Sequence, residues 1–435
     1  VADISCAFQK PQRQVLYYSG RVYRLWETKS TGVSALTSEE ARQTVVTAGR
    51  KLLKSGLVAR TWGNVSCRIS NSSFVITPSG RDYLSLSPED IVEVSVSDLS
   101  YSGNIMPSSE RGVHAEVYKR YPEINFVIHT HQDYASAASV LDADAIPVSG
   151  NHPLLGADVP CAAYGSPGTR RLSRNVAAAL SRAEGKAVIM KNHGALCFGR
   201  NCDEAFAAAA ELENACREYL ENRYLTVSGK PAVDTLHMAE FALSEFTGEP
   251  VKVCRPGLPF PLESERIEGG FRLRAGNELF DIIHDEFFDG GTLLKGLPEV
   301  VKIHNEIYKK HKGINSIIHA DTTFISAVSS AGIVLRPLLD DFAQIAGPAV
   351  ITTAPDPETV ASAFNRASAV FLRNNGAICC GPTRNDAAAA AAVVEKNCLA
   401  FIFAALFGKV KYINPLESMM LRDGYLRKYS KRAYK

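Results

Sequence analysis

An internal duplication constrains this 435-residue chain more than any other feature. HAEVYKRYPEIN, from His114, aligns with HNEIYKKHKGIN, from His304; INFVIHTHQDYASAASVL, from Ile124, aligns with INSIIHADTTFISAVSSA, from Ile314. Further along, KNHGALCFGRNCDEAFAAAAELENAC aligns with RNNGAICCGPTRNDAAAAAAVVEKNC. Each copy reads as helix, short turn, buried strand and helix, followed later by strand, glycine turn and a long alanine-rich helix. The copies lie 190 residues apart at the first motif and 182 at the last, so the first carries eight more residues in between. A unit this long, present twice, predicts two homologous domains and not a solenoid of short repeats. Length agrees, because a chain of this size exceeds what one hydrophobic core usually serves. The domains are placed at residues 1–225 and 226–435.

The first repeat unit is expected to start with TSEEARQTVVTAGRKLLKSG, a helix opened by a Thr37–Glu40 capping box and stopped by Gly56. SCRIS and SFVIT read as the two strands of a hairpin leading into the TPSG turn. Between about residues 226 and 295 the pattern is less regular, with RPGLPFPLE and two Gly-Gly turns.

A hydrophobic share of 46% and a formal net charge of +2 fit a soluble α/β protein and give no global sign of nucleic-acid binding. The basic tail GYLRKYSKRAYK reads as a solvated terminus or subunit contact ahead of an RNA or membrane patch. Ten cysteines without a CxxC spacing read as buried thiols in a reducing compartment. No secretory signal pattern is visible, and the apolar run CLAFIFAALFGKV is too short and interrupted for a membrane span, so a cytoplasmic protein with no membrane partner is expected.

His129 and His131 end an apolar strand, and period-two alternation puts them on one face with Thr130 on the other. Such a pair is either two separately satisfied histidines or two ligands of one divalent metal, for which imidazole is well suited. His193, before Gly194 at the end of another apolar strand, is the third candidate. Glu110 and His114, spaced i, i+4, compete for the fourth place. A carboxylate offers more than an imidazole, because it can also take or return a proton. In the second copy Glu110, His131 and His193 become Val300, Asp321 and Asn375, while His129 and His114 persist as His319 and His304. That favours a structural task for His114 and a faded second site, although Glu299 leaves a rearranged one open.

Three short segments are candidate anion contacts: Gly63–Asn64, Ser79–Gly80, and Ser108–Ser109 at an expected helix start. The last adjoins Glu110 and ties the anion to the metal. No Walker A loop, dinucleotide fingerprint or GxSxG elbow is present, which points to metal-assisted chemistry on a small anion.

TWGNVSCRI, FVITPSG, MPSSERGVHAEVY, VIHTH, VPCAAYGSPGT and KNHGAL occur in an order that closely resembles the class II aldolase/adducin family over residues 37–225; residues 295–408 resemble a degenerate member. The resemblance implies an α/β/α domain around a central, largely antiparallel sheet, here in tandem. It implies Zn2+, or another divalent ion such as Mn2+ or Co2+, on Glu110, His129, His131 and His193, with Glu110 as catalytic proton carrier. It implies phosphate contacts from Asn64, Ser79 (where threonine is more usual), Gly80, Ser108 and Ser109. The implied activity is retro-aldol cleavage of a small sugar phosphate, with epimerase, dehydratase, decarboxylase or a non-enzymatic adducin-like scaffold as alternatives on the same fold. The family's neighbouring-subunit tyrosine has no match in IPVSGNHPLLG, which offers Asn151 or His152 instead. Family members are commonly tetramers, so the second domain is expected to act as a pseudo-subunit and the tandem chain to dimerise.

Overall fold

The structure, a computed structural model, describes residues 15–18, 21–24, 36–55, 57–58, 62–254, 262–283, 298–364 and 367–429. The expected stop at Gly56, most of RPGLPFPLE, the second Gly-Gly pair, the Glu299 side chain and the last six residues of the tail lie outside these. Contacts divide the chain into residues 1–36, which contain an antiparallel hairpin of Val15–Tyr18 and Arg21–Arg24, and residues 37–435.

Helix Ser38–Lys54 starts at the capping box: Thr37 N donates to Glu40 Oε2 (2.8 Å), and Glu40 N donates to Thr37 Oγ1 (3.3 Å). An eight-stranded sheet follows. Its spatial order is Val92–Ser95, Ser73–Ile76, Asn64–Arg68, Phe126–Thr130, Gly194–Gly199, Ala187–Met190, Asp158–Ala162 and Ala145–Pro147. All pairings are antiparallel except Asp158–Ala162 with Ala187–Met190. Phe126–Thr130 is buried along its whole length, as a central strand with both faces covered must be.

A seven-stranded sheet in the second half repeats this order without the last strand: Glu278–Ile283, Gly270–Ala275, Leu262–Ile267, Ser316–Ala320, Ala377–Gly381, Ala369–Leu372 and Thr352–Thr353. The region read as irregular therefore holds a three-stranded meander that turns at Gly269–Gly270. Alternation of Phe271, Leu273 and Ala275 with Arg272 and Arg274 gives it one buried and one exposed face.

Each half also buries the same polar hub. In the first, Ser66 Oγ lies 2.7 Å from both His114 Nδ1 and Tyr118 Oη, and in the second Ser264 Oγ lies 2.9 Å from both His304 Nδ1 and Tyr308 Oη. A guanidinium closes each hub. Arg68 donates to the carbonyls of Ile124 (2.8 Å), Tyr118 (2.7 Å) and Tyr121 (3.0 Å); Arg266 does the same for Ile314, Tyr308 and His311.

Two long helices join the halves. Cys202–Ser228 runs through the expected boundary at 225. Arg384–Leu406 is long and apolar enough to cross a membrane by length and composition, but it is a core helix, with 83% of its apolar window buried against Asp133–Ser139, Thr235–Thr247 and other helices.

Two stability measurements check this account. Arg68→Met removes three hydrogen bonds, two of them to buried carbonyls, and should cost about 3 kcal/mol in urea unfolding; a loss under about 1 kcal/mol contradicts the hub's role. Burial, with His319 nearby, pushes His304 down to about 3, so between roughly pH 3 and 6.5 the unfolded chain binds a proton that the folded one refuses. Stability should therefore fall as pH drops through that window, and His304→Gln should reduce the slope by about 1.4 kcal/mol per pH unit.

Candidate metal centre

His129 lies near the end of the central strand, and His131 sits just past it, its N–H donating to Leu57 O at 2.9 Å. The third histidine arrives because strand Gly194–Gly199 pairs with Phe126–Thr130 in a register that sets Ala195 against Thr130. Gly194 makes this approach available: a Cβ there would meet the Thr130 carbonyl oxygen at 2.3 Å. The three ring centroids end 4.6 to 4.9 Å apart, fully buried.

Tautomers follow from the outward-facing nitrogens. His129 Nδ1 lies 2.9 Å from Ala195 O, His193 Nδ1 lies 2.6 Å from Asp340 Oδ2, and His131 Nδ1 lies 3.4 Å from Asp341 Oδ2. The His129 contact is a hydrogen bond that puts the proton on Nδ1 and leaves Nε2 of that ring as a lone pair; the aspartates stand beside the Nδ1 atoms of His193 and His131 as charged neighbours, and an Nδ1 proton facing them would leave Nε2 of each ring for a metal. They converge: His131 Nε2 and His193 Nε2 each stand 2.9 Å from His129 Nε2. Glu110 completes the cluster, with Oε2 3.1 Å from His129 Nε2 and Oε1 3.2 Å from His193 Nε2. Five potential ligand atoms meet at one buried point, and a divalent cation among them would take the place of any proton they share. The residues fit a divalent metal in ligand type and number.

The local field favours positive charge at this point, whether a proton on His193 or a cation among the ligands. Burial opposes charge on His193, yet Asp340 and Glu110 overcome it and lift its pKa well above the ordinary value. Burial would likewise raise Glu110, but His129 and His193 hold it well below the usual carboxylate range. Burial and His129 push His131 down to about 3, the neutral form a ligand needs.

Glu110 occupies the N-cap of helix Arg111–Arg120 without capping it, which frees its carboxylate for the imidazoles. Asn64 Nδ2 donates to Glu110 Oε2 at 3.0 Å, and Asn64 Oδ1 bonds His114 Nε2. Both nitrogens of His114 are thus engaged within the hub. Asn64, Ser79, Gly80, Ser108, Ser109 and Glu110 all line one cavity of about 340 Å³, together with His131 and His193. Asn151 and His152 are not on that wall within the chain; His152 Nε2 lies 3.2 Å from Glu218 Oε2.

In the second half, Val300 is buried and Asp321 exposed, and His319 Nε2 is taken by Asn375 O at 2.6 Å. Among the described residues the only comparable cluster of potential ligands is His129, His131 and His193.

Sequence reasoning missed what the second half brings to this centre. Asp340, Asp341 and Lys396 reach the histidines, and Asp341, Gln344, Met420, Leu421 and Tyr425 line the cavity. A signal existed: HPLLGA (152–157) aligns with RPLLDD (336–341), a doublet of buried aspartates where the first copy has Gly156 and Ala157.

The sequence model of the class II aldolase and adducin N-terminal domain matches residues 43–220 and 286–402. A 5-deoxy-D-ribulose 1-phosphate aldolase of Bacillus thuringiensis is 32% identical over 186 residues, 42% of this chain and 86% of its own. An L-fuculose phosphate aldolase of Haemophilus influenzae is 33% identical over 186 residues, 42% of this chain and 83% of its own. A 5-methylthioribulose-1-phosphate/5-deoxyribulose-1-phosphate aldolase of Rhodospirillum rubrum is 32% identical over 182 residues, 41% of this chain and 79% of its own. With the fold, the ligand geometry and these matches together, the chain belongs to the class II aldolase and adducin family.

Proposed function

We propose that this chain is a divalent-metal-dependent aldehyde-lyase that cleaves a small phosphorylated ketose by retro-aldol chemistry. The observation that carries the reading is the convergence of three imidazole nitrogens and one carboxylate beside a cavity with hydroxyls and a helix start on its wall. The similarity to aldolases named for fuculose phosphate and deoxyribulose phosphate supports the substrate class.

His129, His131, His193 and Glu110 would hold the ion, with Zn2+ the first expectation from this ligand set. When bound, it supplies Lewis-acid polarisation of a ketose carbonyl. The chain's own residues do the rest. Glu110, steadied by Asn64, moves the proton at the carbon next to the carbonyl. Ser108 and Ser109, at the start of helix Arg111–Arg120, together with Ser79, Gly80 and Asn64, seat the phosphate. Tyr425, on the wall lent by the second half, is our assignment for the proton on the aldehyde-side hydroxyl. We assign the second half the part of a fused neighbouring subunit, and the intact protein the form of a dimer of tandem chains.

Purified chain should carry one divalent ion, lost in the H129A/H131A double variant and measurable by plasma mass spectrometry; two ions per chain defeat a single-site account. A panel of ketose phosphates, followed for aldehyde release, separates cleavage from epimerisation, dehydration and decarboxylation by the products. Glu110→Gln should lower kcat by about 10²–10⁴-fold. S108A/S109A should raise KM for phosphorylated substrates far more than for neutral sugars, and an equal effect on both removes the anion assignment.

A further inference from the structure

We infer that Asp340 and Asp341 are positioning residues for the metal ligands, so that the centre is assembled from both halves of the chain. This rests on the reading of the three histidines as ligands. An imidazole can ligate only if its other nitrogen holds the proton, and the partner of that nitrogen decides the tautomer and the ring's orientation. His129 finds its partner within its own sheet, at Ala195 O. His193 and His131 are served across the halves, by Asp340 at 2.6 Å and Asp341 at 3.4 Å.

The two aspartates are themselves held. Asp340 N donates to Asn192 O at 3.0 Å, immediately before His193. Asn192 adopts a left-handed φ of 57°, and its Nδ2 donates to Leu338 O at 2.8 Å, so the turn carrying His193 is pinned from the second half. Asn397 Oδ1 accepts from Leu338 N (3.0 Å) and Leu339 N (3.1 Å), fixing the approach to Asp340. Lys396 bonds Asp341 Oδ2 and also donates to His131 O at 3.1 Å. That ammonium ties the backbone of one ligand to the carboxylate that orients its ring. At the aligned positions the first copy has Gly156, Ala157 and Asn214, so its own sequence offers no such groups there. The half that lost its ligands carries the carboxylates that orient the other half's.

An aspartate that only packed the boundary would leave metal affinity untouched, which gives the test its edge. Full-length chain is stripped with chelator and titrated with Co2+, followed by its visible absorption, for wild type, Asp340→Asn and Asp341→Asn. Asparagine keeps the volume but lacks the charge that favours the proton on Nδ1. Each variant should lose about 10–100-fold in Co2+ affinity with an altered spectrum, while circular dichroism shows the chain folded under the titration conditions. Asp341→Glu should recover part of the loss. Wild-type affinity and spectrum in both asparagine variants overturn the inference. If Asp340→Asn does not fold, Asp341→Asn decides alone, with Lys396→Met expected to show the same loss on the His131 side. Wild-type chain that takes up no Co2+ removes the ligand reading itself, and with it this one; binding by wild type with indifferent variants removes only the role of the aspartates.

Discussion

Three buried imidazole nitrogens stand in 2.9 Å steps beside a carboxylate in this protein. Away from water that arrangement is costly unless positive charge stands among them. Much of the surrounding architecture is what it takes to keep the arrangement in place. A central strand delivers two rings, a glycine lets the next strand close to contact distance, and an uncapped helix start releases Glu110 inward. Behind the rings stand a backbone carbonyl for His129 and a carboxylate each for His193 and His131.

The comparison between halves separates what the fold needs from what the centre needs. Ser66, Arg68, His114 and Tyr118 have counterparts in Ser264, Arg266, His304 and Tyr308 with the same hydrogen bonds, so that hub serves packing in either setting. The ligands do not recur. Where the second copy keeps a histidine, His319, a backbone carbonyl has claimed its inward nitrogen. A residue retained after its neighbours have changed is thus one whose partners are backbone or core atoms.

Legibility in the sequence followed the range of the interactions. Repeats, the Thr37 capping box and the His129/His131 pair are local patterns and could be read directly. His193 was readable through Gly194, which marks a close approach without naming the strand approached. Glu110 and His114 were not separable by helical spacing, since both side chains point inward and only their partners differ. The Leu262–Ile283 meander is hard to read because prolines and glycine turns surround it and only Gly270–Ala275 alternates cleanly between buried and exposed positions. Asp340 and Asp341 show in the sequence only as a departure from Gly156 and Ala157 of the first copy, and Lys396 as one from Asn214. Their meaning depends on helix Arg384–Leu406 packing against Asp133–Ser139, an arrangement no local pattern encodes.

That helix contact also bears on dilution. Where a centre is completed by a separate chain, its occupancy falls as protein concentration drops below the dissociation constant of the assembly. Here the completing carboxylates share a polypeptide with the histidines they face, so their local concentration is set by chain geometry alone. On the reading of the second half as a fused subunit, this contact is intramolecular and does not weaken when the protein is diluted.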